Sequence, residues 1–234
     1  EGFTFKNLPV GTRLKSGEVF FEITQIGKEC HNHCAIFQQM GECIMPREGV
    51  FARVLHGGKI QVGDELEIAT EKIPLDAAII TSSDKGYRGE REDLSGAKVL
   101  EILTANGYKV SEKVILPDDK KLLAEKMIEF ANLGIGLILT TGGTGFSVRD
   151  VTPEATIEIS ERLVPGIPEA MRNFSIQITK RAMLSRAAAG IRKRSLIVNL
   201  PGSVKAVDEC LNFILPTLQH GIEILRGDDS NCGH

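Results

Sequence analysis

From about residue 75 onward the sequence alternates short, unbroken apolar runs with helical stripes, and this alternation narrows the fold more than any other feature. LDAAIITSS, YKVSEKVILP, IGLILTT and SLIVNLP read as strands. The first, third and fourth are apolar at consecutive positions, as strands covered on both faces are. Between them, DLSGAKVLEILTANGY carries Val99, Leu100 and Leu103 ahead of a glycine stop, which suits a helix. DDKKLLAEKMIEFANLG sets out an amphipathic helix with Leu122, Leu123, Met127, Ile128 and Phe130. GSVKAVDECLNFILPTLQHGIEIL is a long closing helix that Pro216 is expected to kink. Strands alternating with helices predict an α/β class: a three-layer domain with a mostly parallel sheet over residues 77–226.

Residues 1–70 differ in pattern. VFFEITQIG, GVFARVL and GGKIQVGDELEI are apolar runs broken by Gly and Pro, and EVFFEITQI and IQVGDELEI alternate with a period near two. No helical stripe stands out, so this stretch reads as a small β-rich partial barrel, short for a core of its own. Residues 71–76, within ATEKIPL, read as a linker and 227–234 as a flexible tail. Hydrophobic residues make up 42% and charged residues 25%, with a net charge of −3, which describes a globular chain with no basic field for nucleic acid. No run is long and apolar enough for a membrane span, and no secretory pattern opens the chain. Five cysteines, three of them at positions 30, 34 and 43, point to thiol or metal chemistry in a reducing compartment, with cytoplasm as the expected location. The first residue is Glu1, which fits a processed start or a piece of a longer chain.

In open parallel sheets ligands bind beyond the carboxyl ends of the strands, and three loops at such ends are unusual here. TTGGTGFSVRDVTPEAT follows the strand IGLIL. Gly142, Gly143 and Gly145 let backbone N–H groups approach a phosphate, while Thr140, Thr141 and Thr144 add hydroxyls. Asp150 precedes Thr152, a candidate helix N-cap, and Pro153 at the first helical position. The spacing is neither that of the Walker loop nor GxGxxG, so alone it reads more readily as a structural turn; joined to RDVTPEAT it reads as a ligand loop. LPDDKK brings Asp118 and Asp119 to the start of a helix, either as caps or as a carboxylate that with Asp150 holds Mg²⁺ on phosphates. NLPGSVKA sets Pro201, Gly202 and Ser203 between a strand and a helix, with Lys205 within reach of a phosphate. Glu169, Arg172, Ser185, Arg186 and Arg192 fall in a polar, glycine-punctuated stretch.

The motifs TSSD, DLSG, PDD, TTGGTGFSVRDVTPEAT, PGIPEAMR, AMLSRAAAGIR and NLPGSVKAVDECLNFILP occur in that order. Together they resemble the molybdopterin-binding family that includes molybdopterin adenylyltransferase and the G domain of gephyrin, over roughly residues 75–226. The resemblance implies a molybdopterin-binding α/β domain, a homotrimer, and transfer of AMP from ATP to molybdopterin with Mg²⁺ and release of pyrophosphate. It assigns the two functional aspartates to Asp118 and Asp150. It makes Ser83, Asp84, Thr141, Gly142, Gly143, Thr144, Gly145, Glu169, Ser185, Arg186, Pro201, Gly202, Ser203 and Lys205 candidate ligand contacts, and adds a molybdate-insertion protein as a further partner. The family often has Pro after NLPGS, where this chain has Val204. The same loops would equally serve a carrier that binds molybdopterin without turnover. Adenylyl transfer itself needs in-line alignment and neutralised phosphate charge more than covalent help.

KECHNHCAIFQQMGECIMPREGVFARVLHGGKIQVGDELEI resembles the C-terminal half of a MOSC domain. That implies a chain beginning inside such a domain, with Cys43 as the thiol that carries sulfur or touches cofactor. Cys30, His31, His33, Cys34 and Cys43 also raise a zinc site, above all at Cys30 and Cys34, but C-x3-C-x8-C is not a standard metal string; metal or persulfide chemistry and inert thiols both stay open. Cys210 lies on a helix and reads as core, and Cys232 sits in the tail with His234.

Overall fold

The computed structural model describes residues 4–28, 35–41, 43, 45–70 and 73–227. The chain divides into two compact units, Glu1–Ile73 and Pro74–His234.

The first unit holds β1 (Arg13–Ser16), β2 (Val19–Ile26), two short helices α1 (Ala35–Met40) and α2 (Met45–Glu48), β3 (Val50–His56) and β4 (Glu67–Ile68). The strands form one antiparallel sheet in the order β3-β2-β1-β4. β1 and β2 meet in a tight hairpin in which Ser16 faces Val19, and Gly17 takes the left-handed φ of 56° that such a turn needs. Phe20, Leu55 and Ile73 form its small buried cluster. The two helices depart from the helix-free expectation. They are too short to display a stripe, so periodicity could not reveal them.

The second unit runs β5 (Asp76–Ser82), α3 (Asp84–Tyr87), α4 (Leu94–Ala105), β6 (Lys109–Leu116), α5 (Lys120–Asn132), β7 (Leu137–Thr141), α6 (Thr152–Ile159), β8 (Arg162–Leu163), α7 (Gly166–Ile176), β9 (Ala189–Arg192), β10 (Ser195–Leu200) and α8 (Val204–Arg226). Its sheet has the order β6-β5-β7-β10-β9-β8. The first four strands are parallel, and β9 and β8 add an antiparallel edge. The mostly parallel three-layer expectation therefore holds. Alternation along each strand sends side chains to two cores. Ala77, Ile79, Leu137, Leu139, Leu196 and Val198 pack on one face with Val99 and Leu103 of α4, Met171 of α7 and Leu211 and Leu218 of α8. Ala78, Ile80, Ile138 and Ile197 pack on the other with Leu123, Met127 and Phe130 of α5 and Ala155 of α6. Each fully buried Ile or Leu here contributes about 1.5–3 kcal/mol.

Asp93 caps α4, accepting the Gly96 N–H at 2.8 Å, and Asp119 caps α5, accepting from Lys121 and Leu122. α8 continues through Pro216 and ends at Gly227, whose φ of 77° closes the helix with N–H bonds to Glu223 and Ile224. No described helix is long and apolar enough to cross a membrane.

One buried ion pair joins the two ends of this unit. Arg226, 2% exposed, bonds the Asp76 carboxylate at the start of β5 and donates to the Pro74 carbonyl at 2.7 Å; Asp76 also accepts the Gly136 N–H ahead of β7 at 2.9 Å. Removing one member strands a buried charge. Arg226→Ala is expected to cost about 3–5 kcal/mol in urea unfolding, whereas the double replacement Asp76→Asn with Arg226→Met costs clearly less, because no charge is then left unpaired. Equal losses in the two proteins would show that the pair does not act as a unit.

Candidate functional site

Because β6 and β7 lie on opposite sides of β5, the strand order reverses beside β5, and a crevice opens there at the carboxyl ends of the strands. β5, β6, β7 and β10 end at Ser82, Leu116, Thr141 and Leu200, so the segments SDKG, PDD, GGTG and PGS emerge together.

The glycine loop lies unusually close to the end of β5. Gly142 and Gly143 adopt φ of 91° and 62°. A Cβ on Gly142 would sit 2.4 Å from the Ser82 carbonyl oxygen, and one on Gly143 would sit 2.3 Å from the Thr152 hydroxyl. Only glycine satisfies both conditions at both positions. Thr141 ties this loop to the next one by donating its hydroxyl to the Pro201 carbonyl at 2.7 Å.

Two features set the loop's far side. Arg186 donates Nε to the Gly145 carbonyl at 2.6 Å, and its guanidinium also bonds the Asp150 carbonyl and the Glu154 carboxylate. Its own N–H donates to the Thr144 carbonyl at 3.0 Å. Beneath, the fully buried amide of Asn199 on β10 donates to the Thr140 hydroxyl at 2.9 Å and the Thr156 hydroxyl at 2.8 Å, and accepts the Ala188 N–H at 3.1 Å. One side chain thus fixes β7, α6 and the segment before β9 against one another.

Asp84 and Asp118 form a connected pair. Ser82 donates its hydroxyl to Asp118 Oδ1 at 2.6 Å. Asp84 and Asp118 exchange bonds: the Asp84 N–H donates to Asp118 Oδ2 at 3.2 Å, and the Asp118 N–H donates to Asp84 Oδ1 at 3.1 Å. Arg149 forks onto Asp84, with Nε to Oδ2 at 3.1 Å and Nη2 to Oδ1 at 2.8 Å. The Arg149 guanidinium, then the Asp118 N–H, hold the Asp84 carboxyl below the usual carboxylate range. Asp150 follows Arg149 in the chain and accepts the Ser147 N–H at 2.7 Å.

Two clefts of about 290 Å³ each flank the loop. One is lined by Thr144, Gly145, Arg172, Ser185, Pro201 and Cys210, the other by Ser82, Ser83, Asp93, Gly142, Gly202 and Ser203, together with Thr141. The candidates Thr141, Gly142, Thr144, Gly145, Ser83, Ser185, Pro201, Gly202 and Ser203 therefore line one cleft or the other. Asp84 and Asp118 adjoin the second through Ser82 and Ser83. Gly143 backs onto Thr152, and Arg186 is engaged with the loop's own backbone. Glu169, exposed on α7, and Lys205, 81% exposed and 3.7 Å from Glu209, line neither cleft. Met171 is buried core as well as cleft wall, and burial pushes the Cys210 thiol up while Ser175, 3.3 Å away, lowers it.

Several details differ from expectation. Val151, not Thr152, is the residue preceding α6, and Thr152 opens the helix, fully buried, its N–H donating to the Gly143 carbonyl at 3.2 Å. The helix cap in PDD is Asp119, which leaves Asp118 turned to Ser82 and Asp84. Ser82, Asn199 and Arg149 went unremarked in the sequence. Ser82 and Asn199 sit inside strand runs, and Arg149 is overshadowed by its acidic neighbour. In the first unit Cys43 is a half-buried free thiol; Cys30, His31, His33, Cys34, Cys232 and His234 lie outside the described residues. Among the described residues no group of three or more His, Cys, Asp or Glu is arranged to hold a metal.

With this geometry in view, the family model described as a probable molybdopterin binding domain matches residues 78–220. The chain belongs to that family. It is 37% identical over 153 residues to the molybdopterin adenylyltransferase of Helicobacter pylori, covering 64% of this chain and 87% of that protein. It is 41% identical over 158 residues to gephyrin of Dictyostelium discoideum, covering 63% of this chain and 22% of that one. Among solved structures, the molybdopterin biosynthesis enzyme MoaB of Thermus thermophilus superposes with a TM-score of 0.63 at 42% identity, covering 65% of this chain and 97% of that chain. The family match falls wholly within the second unit.

The Asp84–Arg149 pair predicts a pH response. A lowered folded pKa gives a contribution that is present above the unfolded value and is lost as pH falls through the folded one. In a carbon-detected NMR titration, the Asp84 carboxyl should titrate at lower pH in the parent chain than in Arg149→Gln. Identical midpoints would remove Arg149 as the cause.

Proposed function

We propose that the second unit is a molybdopterin adenylyltransferase acting in molybdenum-cofactor biosynthesis, joining ATP and molybdopterin to give adenylyl-molybdopterin and pyrophosphate. The observation that carries this reading is the pair of adjacent clefts meeting at one glycine loop, with Asp118 bonded to Ser82 of the second cleft and Asp150 beside Gly145 of the first. The reaction has two substrates and needs two compartments meeting at one phosphate. An oxygen of the pterin's phosphate attacks the α-phosphorus of ATP, and the α–β bridging oxygen leaves with pyrophosphate. The chain's part is to align these groups and neutralise their charge. The left-handed Gly142 and Gly143 present backbone to that meeting point, and the Ser203-capped start of α8 adds N–H groups beside it.

Magnesium fits the donors. Asp118 and Asp150 offer oxygen donors only, as suits a hard cation that takes one or two carboxylates together with phosphate and water. Asp118 and Asp150 would hold it, and it would offset charge on the phosphates. The same reading extends to the remaining expectations: a homotrimer, a cytoplasmic location, delivery to a molybdate-insertion protein, and a MOSC-like first unit handling sulfur or cofactor through Cys43. The antiparallel sheet of that unit and the half-buried Cys43 thiol are compatible with the last of these.

Asp118→Asn and Asp150→Asn should each lower pyrophosphate release from molybdopterin, ATP and Mg²⁺ by on the order of 100-fold while the fold persists by circular dichroism. Near-parental rates in both would refute those roles. A parent chain that binds molybdopterin yet releases no pyrophosphate would make the domain a carrier instead.

A further inference from the structure

Arg149 bonds differently from Arg186 and Arg172. Arg186 and Arg172 bond backbone carbonyls, of Gly145 and Asp150 in one case and of Ser185 and Ala187 in the other, and so fix the course of the chain. The Arg149 side chain bonds Asp84 alone among the described residues, through a fork to a carboxylate, with 56% of its side chain exposed. Asp118 and Asp119 lie near enough to favour its charged form without bonding it. Asp84 in turn is locked to Asp118 by two backbone bonds, so the carboxylate that holds Arg149 stays in place whether or not the arginine does.

We propose that Arg149 is a polyphosphate-binding residue which Asp84 holds in store, and that it exchanges the Asp84 carboxylate for the β and γ phosphates of the bound nucleotide. This rests on the nucleotide reading above and deepens it. The guanidinium fork matches a carboxylate and a phosphate equally well, so the two compete for one geometry. An exposed ion pair contributes little net stability, so the exchange meets little resistance. The direction follows from position. Arg149 is more than half exposed and is held by Asp84, the residue after the cleft-lining Ser83, and negative charge grows on the pyrophosphate oxygens as the α–β bond breaks. Asp84 is then a positioning residue. It keeps the arginine beside the site, and once vacated it remains hydrogen-bonded to the Asp118 backbone.

The test is calorimetric titration of the full chain, with Mg²⁺ present, using inorganic pyrophosphate, ATP and AMP as separate probes. Arg149→Gln should weaken pyrophosphate and ATP by about 10-fold or more while AMP changes by less than about twofold, since AMP lacks the groups the fork would hold. Asp84→Asn keeps both backbone bonds to Asp118 but releases the fork, and should tighten pyrophosphate by about threefold or more. Arg149→Lys keeps the charge and loses the fork, and should fall between parent and Arg149→Gln; it carries the test if the glutamine variant does not fold. Parent chain that binds ATP, with Arg149→Gln weakening ATP and AMP in the same proportion or neither, overturns the role of Arg149 and leaves the nucleotide reading standing. Parent chain that binds none of the three probes overturns both.

Discussion

Gly142 and Gly143 run against the end of β5 so closely that a side chain at either position would overlap the Ser82 carbonyl or the Thr152 hydroxyl. That approach sets the rest of the site. It brings the ends of β5 and β7 into contact, leaves Ser82 beside the loop to orient Asp118, and positions Thr152 and hence the start of α6. The two clefts exist because the loop passes between them as a thin wall of backbone.

The arrangement is maintained from two directions. From below, Asn199 links Thr140, Thr156 and the Ala188 amide in a buried network in which every bond raises the cost of losing another. From outside, Arg186 ties the loop's carbonyls to the first turn of α6. At the opposite end of the sheet, Arg226 and Asp76 anchor the last helix to the first strand of the unit. The charged residues of this domain thus fall into two groups. Arg186, Arg172 and Arg226 hold backbone carbonyls, whereas Arg149 holds the carboxylate of Asp84.

How far the sequence revealed this depends on the kind of signal each part leaves. The central strands and α4, α5 and α8 were legible because burial on both faces of the sheet demands unbroken apolar runs, and helices covering it demand stripes. The β9–β8 edge was not: AGIR reads as a polar, glycine-marked stretch, and β8 is two exposed residues whose pairing is decided by a distant partner. At the site, the glycines and aspartates were legible as ordered motifs. Ser82 and Asn199 were not, because inside a strand a polar residue announces its role only through what lies opposite. Arg149 was hidden for a different reason: an arginine in a loop looks solvated until its carboxylate partner, 65 residues earlier, is seen. In the first unit, α1 and α2 are too short for periodicity to register.

The most direct measurement is a crystal structure of the chain with Mg²⁺ and a non-hydrolysable ATP analogue. The polyphosphate is expected along the Gly142–Gly143 backbone, between Asp118 and Asp150, with magnesium on those carboxylates. Polyphosphate bound elsewhere on the chain, with both aspartates untouched and the glycine loop facing only protein, would contradict the proposed site.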